Sequence, residues 1–116
     1  MCFFRKNVIR YNKKSGHYGV VKNKNRKGLT SVFMSTEPFD SGKSNIPMHK
    51  NIDSSSCEPS YFIKRVRTYK QGSYGKIETD YKLCKEDKKL SDSIYKEHLK
   101  NKKIMNKRKK KNQHHS

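Results

Sequence analysis

Several features that are common in folded proteins are missing or scarce in this chain of 116 residues. It has no tryptophan, only 10 acidic residues against 29 lysines and arginines, and 30% hydrophobic residues. So small an apolar fraction predicts a thin hydrophobic core and marginal stability without a partner. The length suits one domain.

The cysteines are few and have no paired spacing. Cys2, Cys57 and Cys84 are odd in number and lie far apart, which indicates free thiols in a reducing cytoplasm rather than a disulfide scaffold. The possible metal ligands are His17, His49, Cys57 and Cys84, but scattered single ligands are a poor zinc pattern. No metal is therefore expected.

Long hydrophobic runs and nucleotide-binding motifs are also absent. No stretch comes near the ~18 apolar residues of a membrane span, and the charged start does not predict a secretory signal. There is no GxGxxG, P-loop, H-E-x-x-H or G-x-S-x-G pattern. We expect no cofactor and no membrane partner.

Positive charge is what the chain has in excess, with a net charge of +19. The segment 100–111 carries eight of the 29 basic residues, which leaves 21 basic and 10 acidic residues in 1–99. The sequence thus predicts a basic domain, 1–99, and a flexible Lys-rich tail, 100–116. Such an excess of cations favours nucleic acid as the partner.

The pattern of apolar and turn-forming residues predicts an α+β domain. It is either a small, mostly antiparallel β-sheet or an SH3-like barrel, with a C-terminal helix and a disordered basic tail. Strands are predicted at 2–11 (an edge strand), 17–22, 29–34, 60–69 and 76–83, with a hairpin link at 23–28 and a long loop at 39–59. A helix is predicted from about residue 86 to at least 99, because Leu90, Ile94, Tyr95, His98 and Leu99 share one helical face.

The predicted strand 60–69 is the most informative stretch, because cations alternate there with aromatic residues. Cations bind phosphates and aromatic rings stack on unpaired bases. The residues predicted to contact nucleic acid are Lys22, Lys50, Tyr61, Lys64, Arg65, Arg67, Tyr69, Lys107, Arg108 and Lys109. The alternative is that the rings are ordinary core and the cations a solvated face.

Four polar side chains are candidates for catalysis. His17 opens a strand after a turn and His49 precedes Lys50, so either imidazole is a candidate general acid or base in RNA cleavage. Ser35 and Thr36 end a predicted strand, where a hydroxyl can bond a phosphate or a 2′-OH. The alternatives are exposed histidines without a role and hydroxyls that cap a turn.

The order of short motifs resembles a known family. The chain resembles small basic proteins of low-GC bacteria and their mobile elements in four segments. These are His17-Tyr18-Gly19-Val20-Val21, the strand end Met34-Ser35-Thr36, 45–51 (NIPMHKN) and 60–65 (SYFIKR). Those proteins are similar to the PemK/MazF-type toxins, which are SH3-like barrels that cleave RNA. The resemblance covers about residues 15–98.

The resemblance implies metal-independent cleavage by an arginine and a Ser or Thr at a strand end. Ser35 or Thr36 would take the hydroxyl role. The Arg-Pro that opens the toxin strand is His17-Tyr18 here, so Lys22, Arg65 or Arg67 would have to replace the catalytic cation. A toxin of this kind would have a small acidic antitoxin as its partner.

Three functions therefore compete. The first is an RNA-binding protein that is also a metal-independent, toxin-like endoribonuclease. The second is a non-catalytic phage or mobile-element protein that binds DNA or blocks the nucleic-acid channel of a host nuclease. The third is a ribosome-associated protein, which the basic tail would also suit.

Overall fold

The computed structural model describes residues 5–40, 42–53, 55 and 58–113, with side chains as far as Ile104. Within these residues the fold is a twisted β-sheet with one long C-terminal helix. The elements are β1 (Ile9–Asn12), β2 (His17–Asn25), β3 (Gly28–Ser35), β4 (Phe39–Asp40), β5 (Lys43–Ser44), β6 (Ile46–Pro47), β7 (Tyr61–Tyr69), β8 (Tyr74–Ile77) and α1 (Lys85–Gln113).

Six strands form one open antiparallel sheet in the order β6-β7-β3-β2-β1-β8, and β4 pairs with β5 in a separate hairpin. The predicted α+β class is confirmed. Of its two predicted forms the sheet is the one observed, because β6 and β8 remain at opposite edges instead of closing a barrel.

Strands β2 and β3 are joined by a tight turn at Arg26 and Lys27, where the Asn25 side chain accepts a hydrogen bond from the Lys27 amide (2.9 Å). Gly28 is the first residue of β3 and has a φ of +136°, a backbone angle that residues other than glycine rarely adopt. A Cβ at this position would collide with the Tyr69 carbonyl of β7. This glycine therefore lets the strands β2, β3 and β7 meet at one corner.

Both faces of the sheet carry apolar clusters. The helix-side cluster consists of Ile9, Val20, Val32, Met34, Phe62, Val66 and Ile94. The opposite cluster consists of Val21, Leu29, Phe33, Ile63 and Tyr74. Helix α1 covers only the first face. The β7 residues that alternate with Phe62 and Val66, namely Ile63, Arg65 and Arg67, lie on the second face, which α1 leaves uncovered.

Helix α1 packs as its sequence predicts. Ile94 is 7% exposed, and Leu90 and Tyr95 pack on the helix-side cluster. Leu99, predicted on the same face, is instead 39% exposed and belongs to neither cluster. The helix runs to Gln113 and so includes most of the predicted tail; residues 114–116 lie outside the described part, and the flexibility of 100–116 stays a prediction.

Two strand predictions and the long-loop prediction need correction. The first strand begins at Ile9 and is not an edge strand, because β8 pairs with its outer side; residues 2–4 lie outside the described part. The strand predicted at 76–83 ends at Ile77, and the Lys82 amide donates to the Ile52 carbonyl instead of a neighbouring strand (3.2 Å). The predicted loop 39–59 contains β4, β5 and β6.

Among the described residues, no helix combines the length and the apolar character that crossing a membrane requires.

Candidate nucleic-acid interface

The sheet face opposite α1 presents two cations of β7. Arg65 and Arg67 are exposed, whereas Val66 between them is buried on the helix side. Tyr69 is half-buried and its ring meets Phe33 edge to face, with ring centres 5.7 Å apart. This packing fixes the tyrosine ring beside the two guanidinium groups.

A shallow hollow of about 190 Å³ lies on this face. Its lining includes His17, Phe33, Arg65, Arg67 and Tyr69. Asp40, from the β4–β5 hairpin, is the carboxylate that lines it. The hollow therefore combines two cations and two rings with a single acidic group.

Arg65 and Arg67 share their hollow with Asp40 but form no close ion pair with any described residue. Between described residues, the ion pairs within 4.0 Å are Lys22 with Asp92 and His49 with Asp87. Neither Arg65 nor Arg67 has a carboxylate at that distance among them. Their charge is therefore available to an external anion.

A second, larger pocket of about 390 Å³ shares His17 with the hollow, but it lies toward the helix side of the sheet, because Met34 belongs to the helix-side cluster and Tyr18 and Tyr81 pack on it. Three tyrosine rings form a row along this pocket, with Tyr18 in the middle. The ring centres of Tyr11 and Tyr18 are 5.1 Å apart, and those of Tyr18 and Tyr81 are 5.2 Å apart. A hydrogen bond with Tyr81, together with burial, raises the pKa of Tyr18, so its hydroxyl stays protonated at neutral pH.

The polar part of this pocket includes three of the four predicted catalytic residues, His17, Ser35 and Thr36. Ser35 Oγ accepts a hydrogen bond from the Glu37 amide (3.0 Å), so it also caps the turn after β3. Glu37 and Asp53 line the pocket as well. Two carboxylates make it a poor site for a phosphate and a better one for the uncharged part of a nucleotide.

His49 does not line that pocket, so the four predicted catalytic residues do not form one site. Its Nδ1 lies 3.0 Å from Oδ1 of Asp87, and its ring is 59% exposed. The His49 amide (2.8 Å) and the Lys50 amide (3.0 Å) also donate to Asp87. Held in this way, His49 keeps most of its side chain in solvent.

The Asp87 carboxylate is completely buried in the first turn of α1. The Cys84 thiol donates to its Oδ2 (3.2 Å). Burial raises the pKa of Asp87, but the hydrogen bonds from His49, Cys84 and Lys50 outweigh burial and hold this pKa below its usual range. Asp87 thus remains ionised and ties the loop before β7 to the helix.

Lys22 is a correction to the predicted interface. Its side chain has no exposed surface, and its ammonium group bonds Asp92 Oδ1 and Asn7 Oδ1, each at 2.6 Å. Burial lowers the pKa of Lys22, and the bond to Asp92 opposes this shift. A cation held in this way does not reach a phosphate, nor does it replace the catalytic arginine of the toxins.

The other predicted contacts are spread over the molecule. Lys50 is exposed beside His49, Tyr61 is half-buried where β7 begins, and Lys64 is exposed on β7. The side chains of Lys107, Arg108 and Lys109 lie outside the described residues, although their backbone belongs to α1.

The sequence did not single out several residues of this region. Phe39 is 65% exposed on the β4–β5 hairpin, and its only signal is an aromatic residue within a Ser-, Gly- and Asp-rich stretch. Tyr18 contacts both Tyr11 and Tyr81. Tyr81 comes from the irregular segment after β8, and no local sequence pattern predicts the path of that segment. Asp87 looked only like a favourable charge in the first helical turn.

Comparisons with protein-family models, with curated proteins and with solved structures find no match to this chain. Within the described residues, no three His, Cys, Asp or Glu side chains come together in a group able to hold a metal ion. Cys57, one of the ligands considered above, lies outside those residues.

Proposed function

We propose that this protein binds single-stranded RNA on the sheet face opposite α1. The observation that carries the proposal is the pair of exposed arginines, Arg65 and Arg67, beside the fixed ring of Tyr69. Cations of this kind hold the backbone of a single strand, while a ring offers a stacking surface that accepts any base.

The tyrosine pocket supports the same function. His17 lines both the arginine hollow and this pocket, and the pocket lies toward the helix side, so a strand that crosses the hollow would place a base in the pocket by passing round the end of the sheet at His17. The rings of Tyr11, Tyr18 and Tyr81 suit a base, and the exposed side chain of Thr36 offers a hydrogen-bonding group to its edge. RNA is favoured over DNA by the resemblance to RNA-cleaving toxins.

Replacement of Arg65 and Arg67 by glutamine tests the proposal. The matched control replaces Lys89 and Lys96, two exposed cations of α1, by glutamine, which removes the same charge from the other side of the sheet. Binding is measured by fluorescence anisotropy with an unstructured RNA of about 12 nucleotides, a length that suits a single-strand groove. The arginine variant should lose at least about tenfold in affinity, and the control less than about threefold.

The same titration with single-stranded DNA and duplex DNA measures preference. Circular dichroism of both variants checks that the fold is retained. Equal losses in the two variants would show that only overall charge matters, and they would contradict an interface on this face.

Metal-independent RNA cleavage is a second candidate function, favoured by the convergence of His17, Ser35 and Thr36 in one pocket. An imidazole can take the proton of a 2′-OH as its oxygen attacks the adjacent phosphorus, and it can return a proton to the 5′-oxygen as the P–O5′ bond breaks, which leaves a 2′,3′-cyclic phosphate and a 5′-hydroxyl end. Arg65 or Arg67 is the cation available to the pentavalent phosphate, in the role that the toxin family gives to an arginine.

Cleavage is tested with purified protein, RNA and EDTA. His17→Ala should abolish it and His49→Ala, in the separate Asp87 cluster, should not. Cleavage that persists in both variants would come from a contaminating nuclease. RNA that stays intact at a high excess of protein would show that the protein does not cleave it, and RNA binding would remain as the proposed function.

The biological setting belongs to the same proposal. Free Cys84 and the cationic face suit a cytoplasmic protein. A mobile element is the setting that the resemblance suggests, with a small acidic antitoxin or a host nuclease as the protein partner. Pull-down from a host lysate with and without nuclease treatment separates a protein partner from contacts bridged by RNA.

A further inference from the structure

One edge of the main sheet is left largely unpaired. β6 has only two residues, and they pair with Tyr61 and Phe62 at the start of β7. The chain before β6 turns away, because the Asn45 amide donates to the Pro38 carbonyl (2.8 Å). From Lys64 to Tyr69, no described residue pairs with the outer edge of β7, whereas its inner edge pairs with β3.

An edge of this kind is a template for another strand. Alternate residues of the segment 64–69 direct their N–H and C=O groups away from the sheet. The opposite edge is less suitable, since β8 has only four residues. The unpaired edge of β7 is thus the longest open pairing surface in the described sheet.

A groove of about 640 Å³ lies between this edge and α1. Its lining includes four apolar residues: Ile46, Val66, Leu90 and Ile94. Lys64 and Arg65 line it from the strand, and Glu97 and His98 line it from the helix. Burial lowers the pKa of His98, so the helix side adds little positive charge at neutral pH. A strand that continued the line of β6 would place every second side chain over this apolar floor.

We propose that this edge and groove bind an extended, acidic segment of a partner protein as an added β-strand. Lys64, Arg65 and Arg67 project from the edge strand, and opposite charges across a strand pair are favourable whereas like charges are not. The partner's apolar residues would enter the groove and its acidic residues would face these cations.

Charge also argues against two other occupants. A second copy pairing through the same edge would bring its own Lys64, Arg65 and Arg67 against these cations. A single-stranded RNA offers anions but not the regular row of backbone donors and acceptors that the edge requires. An acidic polypeptide satisfies both the charge and the pairing.

Synthetic peptides test the proposal on the full-length protein. The first probe is a decapeptide of alternating valine and glutamate; the second has the same sequence with every other amide N-methylated. The third is a decapeptide of glutamate alone. The first should bind and should slow amide hydrogen exchange in the segment 64–69. N-methylation should weaken binding by about fivefold for each hydrogen bond that it removes, and the glutamate peptide should bind still less.

Two variants locate the binding site. Ser93, an exposed residue that lines the groove, is replaced by tryptophan to fill it; Leu99→Trp places the same ring on α1 outside the lining. Ser93→Trp should lower affinity for the first peptide at least tenfold, while Leu99→Trp should bind as the unmodified protein does. Circular dichroism verifies that both are folded.

Several results would overturn the proposal. Equal binding of all three peptides would reduce the interaction to charge attraction. Protection of 64–69 that grows with protein concentration and without peptide would make the edge a contact between copies of this chain. Competition of the RNA of about 12 nucleotides for the same amides would make it part of a nucleic-acid interface. If the unmodified protein does not bind RNA, this proposal still stands provided that the first peptide protects the edge.

Discussion

At the scale of single residues, buried polar groups hold together parts of the chain that lie far apart in sequence. Asp87 accepts hydrogen bonds from His49, Lys50 and Cys84, so one carboxylate joins α1 to the loop before β7. Lys22 likewise joins β2 to α1 through Asp92. Neither pair is predictable from local pattern, because each partner reads as an ordinary surface charge in its own segment.

Asp87→Asn should lower the free energy of unfolding by about 2 kcal/mol at neutral pH, because the new amide donor faces the amide and thiol that now donate to Oδ2. Urea denaturation measures this loss. Asp80→Asn, at an exposed position, should change it by less than about 0.5 kcal/mol.

The pH dependence of stability separates Asp87 from a merely well-packed residue. Its pKa in the folded protein lies below the usual value of about 3.9, so its stabilising effect is fully present above that value and is lost as the pH falls through the folded pKa. The unmodified protein should therefore lose more stability than Asp87→Asn on acidification from about pH 5. Parallel pH curves for the two proteins would contradict this role.

Lys22 and Asp92 should respond unequally to mutation. Asp92→Ala leaves a buried ammonium group without its carboxylate and should cost about 2 kcal/mol, whereas Lys22→Met leaves the partly exposed Asp92 to water and should cost less than about 1 kcal/mol. Thermal unfolding measures both. RNA binding by Lys22→Met should be unchanged, since Lys22 has no exposed surface; a clear loss would mean that our reassignment of this residue is wrong.

At the scale of elements, α1 is a docked helix whose first half carries the packing. Ile94→Ala should lower the free energy of unfolding by about 3 kcal/mol, because Ile94 is enclosed by the helix-side cluster. Leu99→Ala, one turn further on and 39% exposed, should cost under about 1 kcal/mol. Chemical denaturation of both proteins is the measurement. Similar small losses at both sites would mean that the helix is not docked in solution.

At the scale of the whole molecule, charge dominates. Deletion of residues 105–116 removes five of the 29 lysines and arginines and should leave the sheet and the first half of α1 folded. RNA affinity should then fall and depend less steeply on salt, by about 0.7 in the log-log slope for each phosphate that the deleted cations neutralise. Titrations at several salt concentrations measure the slope. An unchanged slope would show that these cations do not touch RNA.

The sequence by itself determined the class of fold and the character of the surface, because both depend on composition and on short-range periodicity. Strand β7, the start of α1 and the excess of cations are of this kind. The regular alternation of apolar and polar residues in 76–83 led to a wrong prediction of a strand as far as residue 83. The chain leaves the sheet after Ile77, although Tyr81 and Leu83 still pack on the helix-side cluster. Periodicity reports which side chains are buried, not which strand pairs with them.

Only the tertiary structure decided which of the basic and polar residues share a surface. It brought His17, Ser35 and Thr36 to one pocket and left His49 outside it, joined to Asp87. It buried Lys22 and exposed Arg65 and Arg67, although all three are cations within strands. The physical reason is that strand order and the path of α1 fix which faces are covered, and these depend on contacts between residues distant in sequence.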